Sequence, residues 1–161
     1  MEIYLLRHGI AEDGGPGRPD PERALTPEGR ERLAWVLQRA RSAEARPTLI
    51  LSSPYRRAIE TAQIAAEVLG YNGAIERTDA LTPDASPSDA WGDIRIHKSE
   101  DAVLLASHEP LTSYLTAFLL NCPTLDVDVK KGALIRMDCD RFGSQPKCVL
   151  KWMLTSATAR A

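Results

Sequence analysis

The chain has 161 residues, of which 43% are hydrophobic and 26% charged, and 20 basic against 22 acidic side chains give a net charge of −2. This ordinary usage excludes a disordered chain, a collagen-like fibre and a disulfide scaffold, and the length predicts one domain over residues 1–161. Because proteins that bind nucleic acid usually show a basic excess, we expect no nucleic-acid partner.

The first half of the chain alternates apolar runs with amphipathic segments. The run from Ile3 to Leu6 predicts a buried strand, and the Gly- and Pro-rich segment 12–22 predicts a loop. Thr26-Pro27 is a typical helix start, with Thr26 as the capping residue and proline in the first turn. A second apolar run, over residues 48–51, predicts another strand. Ser53-Pro54 repeats the cap-then-proline pattern, so we expect a second helix to begin there.

The second half of the chain continues this alternation and ends in two strands. Four further strands are predicted, over residues 75–77, 102–106, 133–137 and 148–153. The last two would pair as a hairpin. Two further helices are predicted to begin at Ser86-Pro87 and at Glu109-Pro110. The order of elements predicts an α/β fold, a single-domain three-layer sandwich with a mostly parallel central sheet and helices on both faces.

Polar residues follow three of the predicted strands. Arg7-His8-Gly9 ends the first, Ser52 to Arg57 ends the second, and Ser107-His108 ends the long apolar strand. Ligands of open α/β sheets bind outside the carboxyl ends of the strands, where helix N-termini also point. We therefore expect the three segments to meet at one edge of the sheet.

The residue types in these segments suit the chemistry of phosphoryl groups. An arginine fork binds a phosphoryl group with two hydrogen bonds and stays charged. A neutral histidine is a nucleophile that can carry a phosphoryl group, and cationic neighbours lower its pKa and keep it neutral. Because phosphoryl transfer depends mainly on positioning and charge stabilisation, such a set is sufficient without a metal or another cofactor.

The motifs LLRHG, SSPYRRAIETA and ASHEP resemble the three motifs of the histidine phosphatase superfamily, also called the phosphoglycerate-mutase-like superfamily. The short length, RALTPEG, ALTP and SHEPLTSYL further resemble its phosphohistidine phosphatases of the SixA type. Larger members insert a helical cap between the second motif and the second histidine. The short interval between Arg57 and His108 leaves little room for one, so the resemblance implies a fold without a cap domain.

The resemblance also implies a role for each residue of the motifs. His8 would be the nucleophile that becomes phosphorylated. Arg7 and Arg57 would hold the phosphoryl group together with His108, the second phosphate-binding histidine. Gly9 would belong to the same phosphate-binding set and would permit a close backbone approach because it lacks a Cβ atom.

The proton donor remains open at this stage. The sequence offers three carboxylic acids, Asp84 in the loop after ALTP, Glu109 after the second histidine, and Glu12 after the first motif. Glu109 also suits the N-terminus of a helix, and Asp84 also suits a turn. A phosphorylated imidazole leaves readily once its free ring nitrogen is protonated, whereas an alkoxide needs a protein acid. The lack of a clear acid therefore favours phosphohistidine or a phosphoamidate over phosphomonoesters as substrate.

The prediction is thus a metal-independent phosphatase that works through a phosphohistidine intermediate and uses no cofactor. Its expected partner is a phosphorylated protein, such as a histidine phosphotransfer domain of a signalling relay, and its site would bind phosphate or another oxyanion. Two alternatives are a small-molecule phosphomonoesterase of the same superfamily and a non-catalytic module that binds phosphopeptides. Whether the loop 12–22 closes over the substrate stays open.

Several features of the sequence predict a cytoplasmic monomer without membrane contact. Its apolar runs are shorter than the roughly 18 residues of a transmembrane helix, and the start MEIYLLRHG lacks the basic region and cleavage site of a signal peptide. The three cysteines, Cys122, Cys139 and Cys148, match neither a zinc pattern nor a CxxC pair. We therefore expect them to be reduced.

Overall fold

The computed structural model describes residues 1–160. Its six strands are β1 (Glu2–Arg7), β2 (Leu49–Ser52), β3 (Ile75–Arg77), β4 (Ala102–Ser107), β5 (Leu134–Asp138) and β6 (Val149–Leu154). Its five α-helices are α1 (Pro27–Ser42), α2 (Arg56–Leu69), α3 (Pro87–Ile96), α4 (Leu111–Leu119) and α5 (Ser156–Ala159). The order of the six strands and of α1 to α4 agrees with the prediction, whereas α5 was not predicted.

The strands form one sheet in the order β3-β2-β4-β1-β5-β6. The first four strands in this order are parallel, whereas β5 runs antiparallel to β1 and β6 antiparallel to β5. The sheet is therefore mostly parallel, and the predicted closing hairpin is confirmed. The parallel part of the sheet carries the ends of the three motif-bearing strands.

Helices cover both faces of the sheet, as predicted. Side chains alternate between the faces along each strand, so Ile3 and Leu5 of β1 point to one core and Tyr4 and Leu6 to the other. One core packs α3 and α4, and the other packs α1 and α2. β4 lies between β1 and β2 and is buried along its whole length, which explains its unbroken apolar sequence.

Three of the four predicted helix starts are confirmed, including that of α4 directly after Glu109-Pro110, and one is wrong. The side chain of Thr26 accepts a hydrogen bond from the Gly29 backbone N–H at 2.9 Å, and that of Ser86 accepts one from the Asp89 N–H at 3.1 Å. Ser53, in contrast, does not cap α2, which begins at Arg56. Its hydroxyl instead accepts a hydrogen bond from the Tyr55 N–H and contacts a histidine of the site described below.

Two further features concern the helices and the cysteines. Within residues 1–160, no helix combines the length and the apolar content that crossing a bilayer requires. Cys122 is exposed, Cys139 and Cys148 are buried, and all three are free thiols.

Candidate active site

The parallel strands bring the three sequence motifs together at one edge of the sheet. Arg7 of β1 is the register partner of Ser107 of β4, and Ser52 of β2 is the partner of Ala106. The residues that follow each strand therefore emerge side by side. His8 and His108 stand with their ring centroids 5.1 Å apart.

His8 is held in one orientation by contacts at both ring nitrogens. Its Nδ1 lies 2.7 Å from the Gly9 carbonyl oxygen, and its Nε2 lies 3.3 Å from the Nε of Arg57. Burial lowers the pKa of His8 to about 3, and the charges of Arg57 and Arg7 add to this shift. The imidazole is therefore neutral near pH 7, with its Nδ1–H donated to the Gly9 carbonyl oxygen and its Nε2 lone pair accepting a hydrogen bond from Arg57 Nε. That lone pair becomes free to attack once Arg57 Nε turns to a bound oxyanion.

His108 faces His8 from the end of β4. Its Nε2 lies 2.7 Å from the hydroxyl oxygen of Ser53, and its Nδ1 is buried with no hydrogen-bond partner in residues 1–160. Burial lowers the pKa of His108 to about 2, with further contributions from His8 and Arg57. When Ser53 donates to Nε2, the proton of the neutral ring sits on Nδ1, which is the nitrogen without a partner.

Arg57 lies in the first turn of α2 and is 4% exposed. Besides its contact with His8, it donates from Nη1 to the Asp20 carbonyl oxygen at 2.8 Å and from Nη2 to the Asp20 carboxylate at 3.2 Å. The neighbouring Arg56 points away from this cluster, since its side chain is 59% exposed and lies 3.5 Å from Glu60. The helical turn thus separates two adjacent arginines onto different faces.

Arg7 is fixed by the segment that precedes β5. Its Nη1 donates to the Val129 carbonyl oxygen at 2.7 Å, while its buried Nε has no partner among the described residues. The Gly132 N–H donates to the carbonyl oxygens of Arg7 and His8 at 3.1 and 2.9 Å. This support could not be predicted from the sequence, because Val129 and Gly132 carry no motif and only the fold brings them to the site.

Gly9 does lie against a neighbouring backbone, and that backbone belongs to α1. A Cβ atom on Gly9 would lie 3.2 Å from the Gly29 carbonyl oxygen, and one on Gly29 would lie 2.2 Å from the Ile10 carbonyl oxygen. The Gly9 N–H also donates to the Thr61 hydroxyl of α2. The turn after His8 is therefore pressed between two helices, which explains the glycine of TPEG as well as that of RHG.

The three predicted acids lie in separate surroundings. The Glu109 carboxylate accepts hydrogen bonds from Thr112 and from the Ser113 N–H, so it caps α4. Asp84 is exposed and accepts from Thr82, and Glu12 pairs with Arg18 at 3.0 Å. None of the three carboxylates hydrogen-bonds to His8, Arg57 or His108 within residues 1–160.

Among residues 1–160, Asp20 is the carboxylate that hydrogen-bonds to the cluster, and it was not among the acids predicted from the sequence. Residues 20–22 form a short 3-10 turn within the loop 12–22, and the Asp20 carboxylate accepts from both Arg57 and Arg23. Its place in a Gly- and Pro-rich segment gave no signal of an ordered contact. The only hint was a carboxylate between two prolines, Pro19 and Pro21, which stiffen the backbone there.

A polar groove of about 580 Å³ lies next to the turn that carries Asp20, and its lining does not include His8, Arg57 or His108. Its lining includes Glu12, Arg18, Pro21, Arg56 and Arg77. In the part of the chain that the structure describes, no group of three or more His, Cys, Asp or Glu side chains is placed to hold a metal ion. The arrangement as a whole offers one nucleophilic nitrogen surrounded by two guanidinium groups and a second histidine. This set is suited to binding a tetrahedral oxyanion and to attacking it.

Comparison with known proteins agrees with this geometry. Residues 3–82, which include Arg7, His8 and Arg57 but not His108, match the family model of the histidine phosphatase superfamily (branch 1). The chain is 33% identical over 138 residues to an uncharacterized protein of Picosynechococcus sp. strain PCC 7002, covering 84% of this chain and 83% of that protein.

Two SixA proteins are also similar. Phosphohistidine phosphatase SixA of Escherichia coli strain K12 is 28% identical over 125 residues, covering 76% of this chain and 75% of that protein. The structure of the protein histidine phosphatase SixA complexed with tungstate superposes with a TM-score of 0.86 at 22% identity, over 98% of both chains. The superposition confirms the predicted phosphoglycerate-mutase-like fold. The chain thus belongs to the histidine phosphatase superfamily and resembles its SixA proteins.

Proposed function

We propose that the protein is a metal-independent phosphatase that removes phosphoryl groups from protein phosphohistidine through a phosphohistidine intermediate on His8. The observation that carries this proposal is a pair of buried nitrogens without partners in residues 1–160, Arg7 Nε and His108 Nδ1. Both belong to residues that the motif resemblance assigns to phosphate binding. A buried donor without a partner is costly, so these atoms favour an oxyanion ligand between them.

In the first step, the Nε2 lone pair of His8 attacks phosphorus in line with the leaving group. Arg57, Arg7 and His108 hold the equatorial oxygens, and their positive charge or N–H dipoles offset the negative charge of the transition state. His8 needs no base, because its pKa of about 3 leaves it neutral. The contact between Gly9 and Nδ1 fixes the ring with Nε2 toward the site.

In the second step, water attacks phospho-His8 from the side that the product has left. The P–Nε2 bond breaks and its electron pair returns to His8, while the same three residues hold the phosphoryl oxygens. His108 depends on Ser53 for its role, because the hydrogen bond at Nε2 determines which ring nitrogen carries the proton.

The substrate class follows from the surroundings of the site and from chemistry. The chain between Arg57 and His108 is taken up by α2, β3 and α3, which pack on the sheet and do not form an inserted cap. Such a site admits a phosphoryl group carried by a protein. The related protein of E. coli is named a phosphohistidine phosphatase, which supports the same class, and we take the partner to be a histidine phosphotransfer domain.

The same reasoning leaves Asp84, Glu109 and Glu12 without an assigned part in proton transfer. A protonated phosphohistidine leaves as a neutral imidazole and needs no protein acid. We further propose that the protein acts as a monomer in the cytoplasm, a reducing compartment where the three free thiols would persist.

One observation favours a second function. The groove of about 580 Å³ carries Arg18, Arg56 and Arg77, which would suit a second anionic group on a small phosphomonoester. A small-molecule phosphomonoesterase of the same superfamily is therefore the alternative.

The test compares phosphate release from a phosphorylated histidine phosphotransfer domain with release from a panel of phosphomonoesters, in the presence of EDTA. Fast release from the domain alone, abolished in His8→Ala, is the expected result. Release from monoesters alone would establish the alternative. Binding of the phosphorylated domain without turnover would contradict both and indicate a non-catalytic binding module.

A further inference from the structure

The guanidinium of Arg57 connects the nucleophile to a carboxylate. Its Nε lies 3.3 Å from His8 Nε2, and its Nη2 lies 3.2 Å from a carboxylate oxygen of Asp20. The Asp20 carbonyl oxygen accepts from the remaining Nη1 at 2.8 Å. All three nitrogens of this guanidinium are thus occupied, one by the nucleophile and two by a single residue of the loop 12–22.

Asp20 is held in this place from its other side as well. Its second carboxylate oxygen lies 2.7 Å from Nη2 and 2.9 Å from Nε of Arg23, and Arg23 in turn donates to the Glu12 carbonyl oxygen. The turn that carries Asp20 is therefore tied to the body of the protein by two arginines. Its side chain is nevertheless 55% exposed, so solvent water reaches the carboxylate directly.

The protonation state of Asp20 suits a base and not an acid. Partial burial acts to raise the pKa of its carboxyl, but the hydrogen bond from Arg23 and the charge of Arg57 outweigh this and lower it. Near pH 7 the group is a carboxylate, which accepts a proton and has none to donate.

A phosphoryl group bound at His8 would compete with Asp20 for Arg57. Its oxygens carry more negative charge than a carboxylate and form paired hydrogen bonds with a guanidinium fork. When they take the Nη2 donor, the Asp20 oxygen that faced it is released, while Arg23 still anchors the other oxygen. A free carboxylate lone pair, exposed to solvent, is then available to the water of the second step.

We propose, on the basis of the proposed function, that Asp20 is the general base of the second step. A water oxygen forms a bond to phosphorus, the P–Nε2 bond breaks, and its electron pair returns to His8 Nε2. The proton of that water goes to the released oxygen of Asp20. His8 leaves as a neutral imidazole because the ring keeps the proton on Nδ1, which is donated to the Gly9 carbonyl oxygen. Phosphate departs, and Asp20 loses its proton to solvent.

This assignment also bears on the choice of substrate. An unprotonated Asp20 helps water attack but does not protonate an alkoxide in the first step. The enzyme would therefore process phosphohistidine, whose imidazole leaves without help, far better than an alkyl phosphomonoester.

The test is rapid-quench measurement of labelled phosphoenzyme with ³²P-phosphoramidate as the small phosphoryl donor. In Asp20→Asn, which keeps the shape and removes the basic charge, we expect phospho-His8 to form at a near-normal rate. Its hydrolysis should be slower by about 10²-fold, so nearly one equivalent accumulates. Asp20→Glu should restore part of the hydrolysis rate. Asp13→Asn, an exposed aspartate of the same loop, is the matched control and should behave as wild type.

Two results would overturn the assignment. If Asp20→Asn slows the formation and the hydrolysis of phospho-His8 equally, Asp20 only holds the loop in place. If neither rate changes, Asp20 takes no part in the reaction. Failure of the proposed function looks different, because wild type would then form no labelled enzyme that depends on His8. Thermal unfolding of Asp20→Asn checks that the variant is folded.

Discussion

The site is built from two regions that the protein holds in different ways. On one side, His8, Ser53 and His108 follow directly from parallel strands and are at most 7% exposed. On the other side, Asp20 and its neighbours in the loop 12–22 are exposed and are held mainly by ion pairs with Arg23 and Arg57. The first region is fixed by the sheet and its two cores, and the second by charge.

The two regions therefore suit different steps of the proposed reaction. Groups that bind and attack a phosphoryl group must not move, because a small misplacement of the reacting atoms costs much of the rate. A group that must first release Arg57 and then meet water gains from being exposed and held by exchangeable contacts. The strand ends therefore suit formation of the intermediate, and the loop suits its hydrolysis.

Removal of His8, which belongs to the strand-end side of the site, should give the largest loss of activity. His8→Ala lacks the nitrogen that carries the phosphoryl group, so turnover should fall by about 10⁴-fold or more. Labelled phosphoenzyme should be absent under every condition. Residual phosphoenzyme in this variant would show that the nucleophile lies elsewhere.

Replacement of Arg57 should give the next largest loss of activity, because Arg57 contacts both His8 and Asp20. Arg57→Ala removes the donor to the phosphoryl oxygens, and kcat/KM should fall by about 10²- to 10³-fold. The matched control is Arg56→Ala, the adjacent residue of the same helical turn, whose exposed side chain pairs with Glu60. Equal losses of kcat/KM in both variants would mean that Arg57 contributes only its positive charge and not the hydrogen bonds of its buried guanidinium.

The buried histidines at the strand ends predict that the free energy of unfolding falls as the pH is lowered. The pKa of His8 is about 3 in the folded protein against an ordinary value of 6.5, so below pH 6.5 the unfolded chain binds a proton that the folded protein does not. Its contribution to stability is complete above pH 6.5 and is lost as the pH falls toward 3. Between pH 7 and 5 the free energy of unfolding should fall by about 2 kcal/mol because of His8 alone.

Urea unfolding at these two pH values, without oxyanions in the buffer, measures the effect. The unfolding free energy of His8→Asn should fall about 2 kcal/mol less than that of wild type over this interval. Gln38→Asn, at an exposed position of α1 away from the site and without a titratable side chain, is the control and should follow wild type. Parallel pH dependences of wild type and His8→Asn would contradict a neutral, buried His8.

The two regions also differ in how far the sequence predicted them. His8, Arg57 and His108 follow apolar runs whose strand character is plain, and parallel strands place such residues at one edge by geometry alone. Asp20 was not selected, because its contact depends on how a Gly- and Pro-rich loop folds back onto α2. Ser53 was assigned to a helix cap, since the sequence alone does not show that His108 of a neighbouring strand competes for its hydroxyl.

Removal of the Ser53 hydroxyl should give the smallest loss of activity, and it tests what orients His108. Ser53→Ala removes the partner of His108 Nε2, so the Nδ1 proton is no longer favoured, and kcat should fall about fivefold, the worth of one hydrogen bond. Ser107→Ala is the control, because this equally buried hydroxyl donates to the Leu81 carbonyl oxygen and not to His108. Nitrogen-15 NMR of the histidine rings should show a changed tautomer of His108 in Ser53→Ala only. If both variants lose the same activity with the His108 signals unchanged, Ser53 acts through packing, and the orientation of His108 is set by the sheet alone.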